Sequence, residues 1–496
     1  MRRQARQAVC ESEAMPTISY ARRVRNQADA APSAPALTVV DDRTLSWREL
    51  VDESEVVARR LVAAGAAVGD LVTIAEPNSV EFVTALIACW MIGATPQPVS
   101  SKLPAREIRE IVDLADPAVT IGVDATIELG RARLEAVDHV VGVELPDDVV
   151  SPSWKAPTSG GSTGRPKLIL AGSGSTMEDD AVPGFCLPGG TMVMPGPLYH
   201  NGPLVWAVQQ LLHAGHLVLL QRFDAAATLG AIERHAASSI YVVPTMMQRI
   251  WRLPDHVRAG HDVSSLRMVW HLAAPCPAWL KEEWISWLGP EKIFELYAGT
   301  EAQAATIITG SEWLEHRGSV GKPFAGEMKI VRDDGSDADP GEQGEVFMRP
   351  PDPDTPTYAY VGAESTRFDG GWESLGDMGW MDTDGYLYLG DRKKDMILSG
   401  GANIYPAEVE AAIDRHPRVV SCAVIGVDDD DLGQRIHAIV HADGEVTDDD
   451  LRVHLSEELV RYKIPRTFEF VDEPVRDDAG KVRRSALAAD RSVPEP

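Results

Sequence analysis

The chain has 496 residues, about three times the usual length per domain, so two or more domains and a sizeable core are expected. With 44% hydrophobic and 25% charged residues it has the composition of a globular protein, not of a disordered or fibrous one. Its 47 basic and 75 acidic residues leave a net charge of −28, which repels nucleic-acid phosphates and anionic membrane surfaces and argues against a nucleic-acid binder.

Residues 1–15 begin MRRQAR, lack the apolar stretch of a secretory signal, and read as a tail ahead of Met15. From Trp47 to Ala64 apolar residues recur at helical spacing, and Leu71 to Ala75 is a short strand closed by Pro77 and Asn78. Glu81 to Ile92 reads as a helix; the apolar run Val83–Ala94 around it is too short to span a bilayer and is expected to be buried. Val119–Val123, Val140–Val143, Leu217–Leu220, Ile240–Val243 and Met268–Trp270 read as buried strands between helical segments. That alternation implies parallel sheets covered by helices.

After Ser319 the texture changes to short strands with Asp-Gly turns at Asp334-Gly335 and Asp384-Gly385, which predicts hairpins and a β-rich layer. From Arg392 onward a small α/β domain is expected, with helices at Ala407–Arg415 and Asp448–Leu459 and strands at Val419–Ile425 and Phe468–Val471. The acidic run Asp428–Asp431 reads as a solvated loop. The predicted fold class is therefore α/β: a large N-terminal domain, 16–391, of helix-covered, mainly parallel sheets plus a β-rich layer, and a small C-terminal domain, 392–496. Cys10, Cys89, Cys186, Cys276 and Cys422 show no CxxC spacing, which argues against a disulfide framework or a zinc site and points to a reducing, cytoplasmic setting.

The segment richest in chemistry is Thr158–Lys167, TSGGSTGRPK. Clustered Gly, Ser and Thr let the backbone turn sharply and aim N–H and hydroxyl donors at one anion, and Lys167 adds a positive charge, which suits a polyphosphate. A flexible turn is the competing account of such a loop taken alone. Gly160–Gly164 also matches the G-x-S-x-G nucleophile elbow, but that motif needs a buried strand before it and a helix after it. Here SPSWKAPTS precedes and a strand-like Leu168-Ile169-Leu170 follows, so context disfavours a serine hydrolase.

Other segments join it in order: Tyr297-Ala298-Gly299-Thr300-Glu301 after a strand-like Ile293–Leu296; Gly376-Asp377; Asp391-Arg392-Lys393-Lys394-Asp395 before Gly400-Gly401-Ala402-Asn403-Ile404-Tyr405-Pro406; and Gly480-Lys481-Val482-Arg483-Arg484. From Ser46 to Leu487 this set resembles the adenylate-forming superfamily of acyl-CoA synthetases, nonribosomal peptide adenylation domains and luciferases.

The resemblance implies a role for each match. Thr158, Ser159, Gly161, Ser162, Thr163, Gly164 and Lys167 would hold the β- and γ-phosphates of ATP, and Tyr297 would lie beside the nucleotide. Thr300 and Glu301 would contact phosphate and help hold Mg²⁺, a hard cation suited to a carboxylate. Asp377 would accept both ribose hydroxyls, and Arg392 would reach the ribose or the α-phosphate. Lys481 would be the catalytic lysine that neutralises charge as the acid attacks the α-phosphorus. His200 would orient the carboxylate. Lys394 would be the hinge of a mobile C-terminal domain, whose swing withdraws Lys481 and brings Gly400 and Gly401 to the pantetheine arm of coenzyme A.

The acyl pocket would be lined by Tyr199, Asn201, Gly202, Val243, Ala273, Ala274, Ala298 and Gly299, whose small side chains leave room. No buried Asp stands ready for an ammonium group, which disfavours amino-acid activation. The motifs are most similar to those of bile-acid, steroid and long-chain acyl-CoA ligases, so a polycyclic terpenoid or steroid acid, or a long-chain acid, is the expected substrate. The expected partners are that acid, ATP and coenzyme A, with no nucleic acid and no membrane span. Two departures stand out: Gly160 where the superfamily commonly has a hydroxyl, and Ser374-Leu375 where it often has Tyr or Thr. They leave open a variant that mainly performs the thioester step, beside an enzyme that hands the acyl group to a carrier-protein thiol and a silent nucleotide-binding partner.

Overall fold

The computed structural model describes residues 17–138, 140, 142–160, 166–179, 184–392, 395–399, 402–429, 432–477 and 480–491. Local sequence rules set many of the helices. Trp47–Ala63 opens on a capping box in which Ser46 and Glu49 satisfy each other's backbone N–H, and it buries Trp47, Leu50, Val51, Ala58 and Leu61 along one stripe. Val80–Met91 is buried at every position except Glu81, as its mostly apolar composition requires. Among the described residues no helix is long and apolar enough to cross a membrane.

Neighbouring strands Pro35–Val39, His216–Leu219, Thr191–Met194, Ser239–Val242, Met268–His271 and Ile293–Ala298 run parallel through the main core. A second parallel sheet, Thr95–Pro98, Leu71–Ile74, Val119–Ile121 and Ala132–Arg133, lies in the same large apolar cluster. The antiparallel layer is continuous with the parallel one. Ala305–Thr309 pairs with Ile293–Ala298, so both belong to one 14-stranded sheet that ends on Glu327–Val331. The turn at Asp384-Gly385 joins Trp372–Met381 to Leu387–Arg392, with Gly385 at φ +83°. The turn at Asp334-Gly335 lies between Glu327–Val331 and Gly344–Arg349.

Val140–Val143 is not the expected buried strand. Val140, Gly142 and Val143 are half-buried or exposed and outside any strand, because the second sheet ends at Ala132–Arg133 and Gly142 turns at φ +86°. Asp428 and Asp429 close the strand Val419–Asp429 instead of starting a loop, and Asp430 and Asp431 lie outside the described residues.

Ile397, Ile404, Val409, Val419, Val440 and Leu451 belong to a separate apolar cluster. Around it Gly433–Ala442 pairs with Val419–Asp429 and with Thr467–Val471, flanked by helices Pro406–Asp414 and Asp448–Glu458. Among the described residues the large N-terminal cluster and the C-terminal one are thus packed separately, with smaller apolar clusters beside them.

Candidate active site

Ligands of open parallel sheets lie beyond the carboxyl ends of the strands. Here the ends of Thr191–Met194, Ser239–Val242, Met268–His271 and Ile293–Ala298 stand side by side and lead into Pro197–Gly202, Val243–Thr245, Leu272–Pro275 and Gly299–Glu301. Buried Asn78 fastens the first of these turns. Its amide donates to the Gly196 and Leu220 carbonyls, each at 2.9 Å, and its carbonyl accepts the Leu198 N–H at 2.8 Å.

Thr158–Gly160 and Pro166–Ala171 form an antiparallel hairpin that sets Ser159 opposite Lys167 and Gly160 opposite Pro166. Gly161, Ser162, Thr163 and Gly164 lie outside the described residues. The element after them is a strand, which removes the nucleophile-elbow reading. Lys167 Nζ lies 3.4 Å from Glu301 Oε1 and 3.8 Å from the centre of the Tyr360 ring. Tyr360 Oη donates to the same carboxylate at 2.6 Å; burial first, then that carboxylate, pushes its pKa up. Glu301 is itself buried, and Thr300 beside it is half-buried. Thr158 Oγ1 accepts from Gln97 at 3.0 Å.

Tyr297 Oη donates to Asp377 Oδ2 at 2.6 Å, and Arg392 stands opposite Asp377 in the strand register. Of the residues before Asp377, Ser374 donates to Glu345 at 2.6 Å and accepts the Gly376 N–H, whereas Leu375 lies against Gly299.

The loop bearing Lys481 reaches the same place. Asp477 accepts the Lys481 N–H through Oδ1 at 2.9 Å, and Gly480 at φ +74° is so close to Val243 and Thr245 that a Cβ there would stand 3.2 Å from Thr245 Oγ1. His200 Nε2 is 4.0 Å from Asp477 Oδ2. Behind the loop, Arg476 donates to the Gly480 carbonyl and pairs with buried Glu410 at 2.6 Å, and Arg484 joins the same carboxylate at 2.8 Å. The expected hinge Lys394 and the glycines Gly400 and Gly401 lie outside the described residues.

Tyr199, Asn201, Gly202, Val243, Ala273, Ala274 and Gly299 fall on these strand-end segments and Ala298 closes the strand Ile293–Ala298, but two of the small residues do not widen a pocket. Gly202 leaves space that Tyr241 Oη fills, and Gly299 leaves space that Leu375 fills. Behind Gly202, Trp206 packs on Tyr241 and Trp270, with ring centroids 5.5 Å apart in both pairs, and Phe185 packs on both tryptophans. Sequence reasoning missed Asn78, Tyr360, Glu410 and the buried Lys155, whose ammonium donates to Asn201 Oδ1. The one signal available was a lysine inside a run otherwise short of charge, Ser151–Ser159.

Residues 24–353 match the AMP-binding enzyme family and residues 408–481 match the AMP-binding enzyme C-terminal domain. The 2-succinylbenzoate–CoA ligase of Bacillus licheniformis is 30% identical over 486 residues, covering 94% of this chain and 98% of that protein. Feruloyl-CoA synthase of Amycolatopsis sp is 32% identical over 468 residues, covering 89% and 93%. The solved structure of o-succinylbenzoate CoA synthetase from Bacillus subtilis, in complex with its acyl-adenylate intermediate, superposes with a TM-score of 0.77 at 27% identity over 95% of this chain and 98% of that one. The fold and the strand-end site define an adenylate-forming enzyme. The chain belongs to the AMP-binding enzyme family, and its class is that of AMP-forming acid–thiol ligases, which work with ATP, Mg²⁺ and coenzyme A.

Proposed function

We propose that the enzyme joins a bulky, largely apolar carboxylic acid to coenzyme A through an acyl-adenylate, with an aryl carboxylic acid as the first class of substrate. The observation that carries the reading is the seating of the Lys481 loop, through Gly480, against Val243 and Thr245, with Asp477 beside His200 at the strand ends. In the first half-reaction a carboxylate oxygen of the acid attacks the α-phosphorus of ATP, the bond to the β-phosphate oxygen breaks, and pyrophosphate leaves. Lys481 neutralises charge at that centre, and His200 orients the acid. Lys167 and the loop from Thr158 to Gly164 hold the outer phosphates, and Asp377, held by Tyr297, accepts the ribose hydroxyls.

Glu301 suits Mg²⁺ held jointly with phosphate oxygens: it is a buried carboxylate oriented by Lys167 and Tyr360. When bound, the ion supplies positive charge to the leaving pyrophosphate. Among the described residues no group of three or more His, Cys, Asp or Glu could hold a metal ion by itself. In the second half-reaction the C-terminal domain turns about Lys394, Gly400 and Gly401 border the thiol's path, the coenzyme A sulfur attacks the acyl carbon, and AMP leaves.

The choice of an aryl acid follows from the pocket walls. With Tyr241 and Leu375 occupying the space beside Gly202 and Gly299, a flat ring is accommodated more readily than a polycyclic skeleton, and the aromatic cluster behind Gly202 offers ring contacts. The acids named for the two curated relatives are aromatic as well. A panel of aryl, polycyclic and long-chain acids, incubated with ATP, Mg²⁺ and coenzyme A and read by mass detection of acyl-AMP and acyl-CoA, tests this. Both products are expected to be strongest with aryl acids. Turnover of polycyclic acids alone would overturn the substrate class, and absence of acyl-AMP with every acid would overturn the activity.

A further inference from the structure

Lys155 lies on the run that leads into the phosphate hairpin and is only 6% exposed. Its ammonium donates to Asn201 Oδ1 and stands 4.5 Å from the centre of the Trp154 ring. Both partners are neutral, and among the described residues Lys155 makes no ion pair; Glu301 acts on it only through space. A buried ammonium with neutral partners alone is costly to keep charged and gains most from an anion brought to it. Burial drives its pKa down to about 7, with the Glu301 charge opposing the shift.

A second feature converges on the same point. Asn201 is the first residue of the helix Asn201–Leu212, whose N-cap residue, His200, makes no side-chain capping bond. The first N–H groups of a helix have no acceptor within it and carry its positive end. Pro203 has no N–H, so Asn201 and Gly202 present the leading donors. The helix's own first turn carries no acidic residue; Asp477 Oδ2 approaches the N-cap residue His200 at 4.0 Å from the Lys481 loop, and on the side of Asn201 the chain buries the amine of Lys155.

We propose that Lys155, together with the amino end of the helix Asn201–Leu212, binds an oxyanion of the reacting centre, either the acid's carboxylate or the adenylate's phosphate. The inference rests on the adenylation reading above and adds a substrate-binding residue to it. An apolar residue at 155 would leave the oxyanion without one of its cations.

Calorimetric affinities for AMP against adenosine, and for ferulate against its methyl ester, isolate the contribution of each oxyanion. Lys155→Met is expected to cut one or both preferences about tenfold or more, with adenosine affinity unchanged, and Lys155→Arg to restore part of the loss. A loss confined to the AMP pair assigns the phosphate, and one confined to the ferulate pair assigns the carboxylate. Anion binding also raises the pKa of Lys155, so wild-type enzyme at about pH 7.5 takes up protons that Lys155→Met does not, read from the heat in buffers of different ionisation enthalpy. A lysine that only supports the fold would change neither ratio nor the proton count. Both preferences unchanged in Lys155→Met would overturn the proposal; should that variant not fold, both preferences unchanged in Lys155→Gln, which keeps a donor for Asn201 without the charge, would do so. Failure of wild-type enzyme to bind AMP at all would instead count against the adenylation reading.

Discussion

Glu301 illustrates how single residues acquire chemistry from distant parts of the chain. Lys167 and Tyr360 approach its carboxylate from positions 134 and 59 residues away. The Tyr297-Ala298-Gly299-Thr300-Glu301 run was recognisable because its residues are consecutive, whereas the hydrogen bond from Tyr297 to Asp377, 80 residues apart, was not. Tyr360, Asn78 and Lys155 carried no such pattern: each is a lone polar residue whose meaning lies in a partner that only folding supplies. The small residues Gly202 and Gly299 were legible as pocket positions but not as packing positions, since nothing local announces Tyr241 Oη or Leu375. Removing the Tyr360 hydroxyl tests the support of Glu301. Tyr360→Phe is expected to raise the KM for MgATP about tenfold, the scale of a hydrogen bond to a charged group, while the KM for the acid stays within about twofold. Equal change in both would assign Tyr360 to the pocket as a whole.

Helices and strands with strong local signals stand where periodicity put them, as Trp47–Ala63 and Pro406–Asp414 show. Pairing between strands is non-local, so the continuity of the parallel and antiparallel layers through Ala305–Thr309 was not readable, nor was the placing of the described residues Val140, Gly142 and Val143 outside any strand. Contact between the two cores is likewise an affair of elements. Helix Pro244–Trp251 presents Gln248 and, just past its end, Arg252 to the final carbonyls of helix Pro406–Asp414: Gln248 donates to the Asp414 carbonyl at 3.1 Å, and Arg252 donates to those of Asp414, His416 and Val419. A cation at the carboxyl end of a helix is favoured by its dipole as well as by hydrogen bonding. This grip holds the orientation in which Gly480 meets Thr245. Arg252→Ala is therefore expected to slow acyl-adenylate formation about tenfold while leaving thioester formation from supplied acyl-AMP within about twofold of wild type, by quenched-flow assay. Equal slowing of both would show that the contact serves stability instead of orientation.

At the scale of the molecule, buried histidines make stability depend on pH. Burial lowers the pKa of His271 and of His216 from 6.5 to about 4, in His216 with the neighbouring His235 adding to the effect. Their folded pKa values lie below the unfolded ones, so the unfolded state binds more protons in between. Stability is whole above pH about 6.5 and is lost as pH falls toward about 4. Urea midpoints measured across that window are expected to fall steadily, and His271→Gln, which has no ring to protonate, to flatten the fall. An unchanged slope in the variant would mean that other groups carry the acid sensitivity. The net charge of −28 adds general repulsion, so the proposed reaction needs local cations such as Lys155, Lys167 and Lys481 to hold anionic substrates.

In the proposed reaction Lys481, carried on the C-terminal loop, acts at the reacting phosphorus. Single-turnover measurement of each half-reaction in Lys481→Ala addresses this most directly, with acyl-AMP formation followed from ATP and the best acid of the panel, and thioester formation followed from synthetic acyl-AMP and coenzyme A. Formation of the adenylate is expected to drop by about 10² to 10³, the effect of removing one positioned charge, with the thioester step unimpaired. Full-speed adenylation in the variant, or equal loss in both steps, would contradict the role of the C-terminal loop.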